Sequence, residues 1–138
     1  MKRTLIPLVP LLLLGQSFAL DCGNLHRLGM GELGSPPNWM VPYCTAAAER
    51  LEASFKKSYP NQQFVQVYEA VIDGGKTVAA SQFLNAIMKK AGYQYVSQTN
   101  TNGVLNLNYA NLSKRAGYAV FIGPKQLDFF LVLVKTKL

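Results

Sequence analysis

The chain has 138 residues, with 14 lysine and arginine residues against 7 aspartate and glutamate residues and a formal net charge of +7. This length predicts a single domain whose core is large enough to fold without a metal or a partner. One histidine and two cysteines, with no Cys-x-x-Cys, exclude the usual zinc sites, and no cofactor is expected.

The amino terminus has the pattern of a cleavable signal peptide. Two basic residues precede an apolar run from Leu5 to Leu14, and small residues stand at Ser17 and Ala19. The run is shorter than the roughly 20 residues of a membrane-spanning helix. We therefore expect residues 1–19 to be removed by cleavage after Ala19, leaving a secreted or periplasmic protein with no stable membrane span and a net charge of +5. An uncleaved membrane anchor is the alternative.

Residues 20–44 contain seven glycine and proline residues and no regular hydrophobic period, which predicts an irregular segment. Cys22 and Cys44 bracket this segment, and an even cysteine count in an oxidising compartment predicts a disulfide bond. A loop of about 23 residues closed in this way is stabilised by roughly 3 kcal/mol in the chain-entropy model. Two free thiols are the alternative. Trp39 and Met40 are the expected anchors of the segment on the rest of the chain.

Two amphipathic helices with a strand between them come next. The first helix is predicted from its N-cap Thr45 to Ser58, with apolar residues at helical spacing. A strand rich in β-branched and aromatic residues follows over 63–72. The second helix spans 78–91 after a cap at Thr77. Lysine pairs end both helices, where positive charge complements the helix dipole.

A hairpin follows the second helix. Strands over 93–99 and 104–109 flank Asn102 and Gly103, which form the dipeptide most typical of a tight hairpin turn. Tyrosines in these strands either stack on a ligand or line the core.

The carboxy-terminal part predicts another pair of strands, over 118–122 and 127–135. The unbroken apolar run 129–134 is typical of a central strand that is buried on both faces. A short helical turn is expected over 111–116, because its end resembles the end of the second helix.

Together these elements predict an α+β domain over 45–138. In it, two helices pack on one face of an antiparallel sheet of about five strands, and the irregular segment is tied on by the disulfide. A ferredoxin-like split βαβ sandwich is the alternative fold.

Three stretches resemble pieces of the bacterial peptidoglycan-binding SPOR domain: Phe64-Val65-Gln66-Val67, the helix end Ala91-Gly92-Tyr93, and Val120-Phe121-Ile122-Gly123-Pro124. That family pairs βαβ halves and binds glycan strands of the cell wall. The resemblance covers about 60 residues and implies an analogy of fold. It departs from the family after Pro124, where a strand is predicted in place of a second helix.

Motifs typical of enzymes occur here in unsuitable surroundings. Residues 75–77 (Gly-Lys-Thr) end like a phosphate-binding loop, but Ala70 stands where that loop requires glycine. The glycine pattern of residues 29–34 is typical of a dinucleotide-binding turn only where it follows a strand, and no strand is predicted before residue 29. His26 lies near Asp21 and Glu32 in sequence and could act as a general base, but the chain has no Gly-x-Ser-x-Gly nucleophile. Paired carboxylates for glycosidase-type chemistry would have to come from only seven acidic residues, most of which show no pairing in the sequence. We therefore expect no catalytic residues and no enzyme activity.

Basic residues come in pairs that end predicted helices or turns. Complementation of helix dipoles accounts for such pairs without any ligand. If the pairs share one edge of the sheet, they instead form a basic surface for an anionic polymer. The candidate binding residues are Lys56, Lys57, Lys89, Lys90, Lys114, Arg115 and Trp39.

The sequence thus predicts an exported, non-catalytic binding or accessory domain of the cell envelope. It does not identify the ligand, for which an anionic envelope polymer is one candidate and a protein partner another. The alternative is a secreted protein-interaction module, an inhibitor or an effector, that uses the Gly/Pro-rich loop around Trp39. Nucleic acid is not expected as a partner.

Overall fold

The computed structural model describes residues 25–71, 77–125 and 128–138. The predicted signal peptide (1–19) and Cys22 lie outside the described residues. No helix in the described ranges combines the length and the apolar content that crossing a membrane requires.

Six strands form one sheet, and every neighbouring pair in it is antiparallel. The strands are β1 (Met40–Pro42), β2 (Gln62–Ala70), β3 (Gln94–Thr101), β4 (Val104–Asn111), β5 (Ala116–Lys125) and β6 (Asp128–Lys137). Their order across the sheet is β1-β2-β6-β5-β4-β3. The α+β class is confirmed, with six strands where about five were predicted. The additional strand is β1, which lies in the segment predicted to be irregular.

The last strand, β6, is central, as its apolar run predicts. It lies between β2 and β5, and Leu131, Val132, Leu133 and Val134 are all fully buried. Because neighbouring residues of a strand point to opposite faces, burial of four consecutive side chains requires cover on both faces of the sheet.

The two helices supply that cover from opposite sides. Helix α1 (Ala46–Ser58) packs on the face that carries Val65 and Val67, whereas helix α2 (Thr77–Lys90) packs on the face that carries Tyr68 and Ala70. We call these the α1 face and the α2 face. The prediction of both helices on one face was wrong, because the alternation along β2 and β6 gives each face its own apolar set.

Helix α1 begins as predicted. The Thr45 side-chain oxygen accepts a hydrogen bond from the Ala48 backbone nitrogen at 3.2 Å, which satisfies a donor of the first turn. The Glu52 carboxylate pairs with Lys56 one turn later at 2.7 Å.

The amino-terminal segment covers part of the α2 face and is not a detached loop. Leu25, Leu28 and Leu33 are buried there. The predicted anchors Trp39 and Met40 also contact this core: Met40 is buried, and the partly buried Trp39 ring meets Phe83 of α2 edge-on.

The predicted hairpin turn is confirmed, since Asn102 and Gly103 both have positive φ. The predicted helical turn at 111–116 is wrong. Residues 112–115 form the turn of the β4–β5 hairpin, in which the Arg115 backbone nitrogen donates to the Leu112 carbonyl. Strand β5 also continues through Lys125, which pairs with Asp128, so β5 and β6 are longer than predicted.

Candidate functional site: the basic end of the sheet

One end of the sheet collects the ends of both helices. Gln62, Thr136, Gly117, Ala110 and Gln94 follow one another across β2, β6, β5, β4 and β3 at this end. Helix α1 enters β2 through residues 59–61, and helix α2 enters β3 through residues 91–93, so both helices finish at the same end. The β4–β5 turn and the carboxy-terminal residues complete it.

Hydrogen bonds join these pieces directly. Asn111, which ends β4, donates to the Gly92 carbonyl at 2.9 Å and so links the hairpin turn to the end of α2. The Lys137 backbone nitrogen donates to the Asn61 carbonyl at 3.0 Å, which links β6 to the end of α1. The Leu138 nitrogen donates to the Arg115 carbonyl at 2.9 Å.

Positive charge is concentrated at this end. Of the eleven lysine and arginine residues in the described ranges, eight lie here, and we call this region the basic end. They are Lys56, Lys57, Lys89, Lys90, Lys114, Arg115, Lys135 and Lys137. The three predicted basic pairs therefore lie together, joined by two lysines of β6 that the sequence analysis had not selected.

One carboxylate from the amino-terminal segment enters the basic end. The Glu32 carboxylate accepts hydrogen bonds from Lys135 at 2.5 Å, Tyr118 at 2.6 Å, Tyr93 at 2.8 Å and Lys114 at 3.0 Å. Lys114 also donates to the Ala91 carbonyl at 3.2 Å. We call these five side chains the Glu32 cluster.

Aromatic rings cover the two lysines of the Glu32 cluster. The Lys135 ammonium lies 4.7 Å from the centre of the Tyr118 ring and 5.4 Å from that of Tyr93, and Lys114 lies 5.3 Å from the Tyr93 ring centre. These distances are within the range of cation–π attraction. The tyrosines are buried, so they line the core and are not free to stack on a ligand.

The surroundings of Glu32 set the acidity of the cluster. Partial burial alone raises the pKa of the Glu32 carboxyl, but the hydrogen bonds from Lys135, Tyr118, Lys114 and Tyr93 together outweigh burial and lower the pKa to about 2. Burial and the bond to Glu32 raise the pKa of Tyr93 to about 12 and raise that of Tyr118 as well. Both phenols are therefore protonated donors at neutral pH.

The loop that carries Glu32 is held by polar groups of β2. Gly29 donates to the Gln66 amide oxygen at 2.8 Å, the Gln66 amide nitrogen donates to the Arg27 carbonyl at 3.0 Å, and the Tyr68 hydroxyl donates to the Leu25 carbonyl at 2.7 Å. A Cβ atom on Gly29 would lie 2.7 Å from the Tyr118 hydroxyl oxygen, and its φ is +64°, so only glycine fits here.

The remaining cations of the basic end differ from those in the cluster. Lys56 pairs with Glu52 on α1. Lys57, Lys89, Lys90, Arg115 and Lys137 are exposed and form no ion pair with a carboxylate of the described residues. They are therefore available to an anion of extended shape.

Trp39 is not part of this arrangement. It precedes β1, whose residue Met40 pairs with Ala70 at the opposite end of β2 from Gln62. Cys44 directly precedes the α1 cap, and Cys22 lies outside the described residues, as does most of the Gly-Lys-Thr motif at 75–77. His26 is exposed on the amino-terminal loop.

Glu32, Lys135 and Lys137 were not predicted from the sequence. A partial signal was available for the two lysines, because they follow the apolar run of the central strand at the end where Lys114 and Arg115 precede the neighbouring strand. No sequence pattern marks Glu32. Family models, curated proteins and solved structures give no match to this chain, so the SPOR resemblance remains an analogy.

Proposed function

We propose that this protein is an exported, non-catalytic binding domain of the cell envelope that holds an anionic polymer at the basic end. The observation that carries the proposal is the convergence of eight cations on one end of the sheet, five of them exposed and without a described carboxylate partner.

The geometry favours a polymer over a small anion. The exposed cations come from three separate elements, the ends of α1 and α2 and the rim formed by the β4–β5 turn with the end of β6. Cations spread in this way match repeated charges along a chain better than one compact group. Each exposed charge contributes little alone, whereas several together raise the association rate and the affinity.

The experiment compares binding of the mature protein to dextran sulfate and to neutral dextran at low salt. We expect binding to dextran sulfate only, and its loss at about 0.5 M salt, where screening is far stronger. Lys89→Glu with Lys90→Glu should weaken binding about tenfold or more, because it reverses two exposed cations of the basic end. The matched control, Arg27→Glu with Arg50→Glu, makes the same change in net charge away from the basic end.

Two results would contradict the proposal. If the control pair weakens binding as much as the Lys89 and Lys90 pair, net charge and not the basic end decides affinity. If retention is equal at low and high salt, charge is not what holds the polymer.

The alternative, a protein-interaction module built on the loop around Trp39, has weaker support. The Trp39 ring packs against Phe83 with a centroid distance of 5.6 Å, which gives it a structural task as an anchor. An exposed hot-spot tryptophan would leave more of its ring free for a partner.

Export and the disulfide belong to the same proposal. Leu25 and Cys44 line one cavity of about 250 Å³ between α1 and β2. Cys22 is three residues before Leu25 in the sequence, a span of at most about 10 Å of extended chain, so the lining that Leu25 and Cys44 share supports a bridge between Cys22 and Cys44. We expect thiol labelling of the denatured, unreduced mature protein to find no thiols, and two reactive thiols would refute the Cys22–Cys44 bridge.

A further inference from the structure

The two edges of the sheet are protected to different degrees. At one edge, β1 has three residues and contains Pro42, a short strand with a proline of the kind that discourages further pairing. At the other edge, β3 has eight residues, with neither a charged residue nor a proline among them. In the described part of the chain, β3 pairs with β4 alone.

The β4 partner determines which backbone groups of β3 point outward. The two-residue turn at Asn102 and Gly103 is closed by the pair Thr101 and Val104, which exchange hydrogen bonds within the hairpin. Because bonded and unbonded pairs alternate, the backbone N–H and C=O groups of Asn100 and Gln98 point away from β4. A bulge between Tyr95 and Ser97 interrupts this regular edge, so its flat part is Ser97–Thr101.

We propose that this edge pairs with the same edge of a second copy of the chain, antiparallel and about a two-fold axis at Thr99. Gln98 of each copy then faces Asn100 of the other, and each of these two pairs exchanges two backbone hydrogen bonds. Thr99 faces Thr99 of the second copy on the α1 face, and threonine pairs of this kind stabilise sheets. The flat part of the edge is therefore complementary to itself.

Charge selects this arrangement for a basic protein. The basic end lies beside Gln94, where β3 begins, so parallel pairing would place two basic ends side by side. Antiparallel pairing moves them to opposite corners, about 25 Å or more apart for an eight-residue strand. At physiological salt, exposed charges farther apart than about 8 Å are largely screened from each other, so the repulsion between the two basic ends is small.

The dimer carries a basic end at each of two corners of one continuous sheet. Two binding ends on one particle raise avidity for a long polymer without any new contact. The pairing itself does not depend on the proposed polymer binding, and its test contains no polymer.

The test is sedimentation velocity of the mature protein from about 10 μM to about 1 mM at 0.15 M salt. We expect dimer to accumulate with concentration. Gln98→Pro removes one outward N–H without touching the bonds to β4, and it should weaken association about tenfold or more. Gln98→Lys keeps that N–H but places a positive charge on each side of the two-fold axis, and it should also weaken association.

The matched control is Leu112→Lys, which adds the same charge in the exposed β4–β5 turn and should leave association unchanged. Circular dichroism establishes whether each variant is folded. If Gln98→Pro does not fold, the association of Gln98→Lys decides whether the β3 edge forms the dimer. A wild-type protein that stays monomeric to about 1 mM overturns the proposal. So does a folded Gln98 variant that dimerises like the wild type.

Discussion

Each face of the sheet has one carboxylate near the basic end, and the two carboxylates are about equally exposed but have different partners. The Glu32 side chain, on the α2 face, is 23% exposed, and that of Glu52, on α1, is 20% exposed. Glu32 accepts bonds from four side chains that are distant in sequence, whereas Glu52 pairs with Lys56 on its own helix. Exposure alone therefore does not measure what a charged side chain contributes; the number and burial of its partners decide it.

The difference follows from how each face is covered. On the α1 face, a regular helix satisfies its own backbone and needs only apolar contacts with the sheet. On the α2 face, an irregular segment covers part of the core, and its backbone groups need partners from the sheet. Gln66 and Tyr68 meet that need by bonding backbone groups of Gly29, Arg27 and Leu25. The Glu32 carboxylate adds side-chain bonds to the sheet.

The largest expected effect is on stability, from removing each carboxylate in turn. Glu32→Ala leaves the mostly buried Lys135 ammonium without its counter-ion and two buried phenols without an acceptor, and we expect a loss of about 3 kcal/mol. Glu52→Ala removes a partly exposed pair of the i,i+4 type and should cost about 0.5 kcal/mol or less. The measurement is the free energy of unfolding from urea titrations at pH 7.

Glu52→Ala is also the control for loss of one negative charge from a strongly basic protein. Equal losses for the two variants would show that the Glu32 cluster adds nothing beyond an ordinary surface pair. The two faces would then differ in the number of hydrogen bonds to the carboxylate but not in the stability that the carboxylate contributes.

The regular elements could be predicted from the sequence because their signals are local. Thr45 caps α1, and Asn102 and Gly103 adopt the positive φ that their hairpin requires. The order of the sheet is less local, yet the apolar run of β6 correctly indicated a central strand. The same run already implied cover on both faces. With two helices available, one on each face was the consistent solution, and the prediction of a single face overlooked it.

The Glu32 cluster could not be predicted, because its members are far apart in the chain. Glu32 lies 103 residues from Lys135 and 86 from Tyr118, and it sits in a segment with no periodic pattern. The sequence predicted that the basic pairs would lie together only if equivalent positions in the topology shared one end of the sheet. The antiparallel register of β2, β3 and β5 fulfils that condition.

A smaller effect, on the pH dependence of stability, sharpens the same contrast. The pKa of Glu32 is about 2 in the folded protein against an ordinary value of 4.5. The unfolded chain therefore takes up a proton first as the pH falls, so the stability that Glu32 supplies is complete above pH 4.5 and is lost between 4.5 and 2. From pH 7 to pH 3 we expect wild type to lose about 2 kcal/mol from this source.

Glu32→Gln lacks the titrating group, so the gap in unfolding free energy between wild type and this variant should narrow by about 2 kcal/mol over that range. Urea titrations at pH 7, 5, 4 and 3 measure the gap, with Glu52→Gln as the control for loss of a carboxylate on the other face. Narrowing must be specific to Glu32→Gln and concentrated below pH 4.5. A gap that is the same at pH 3 as at pH 7 would mean that the four donors do not favour the ionised carboxylate, and that the cluster orders the loop through neutral contacts.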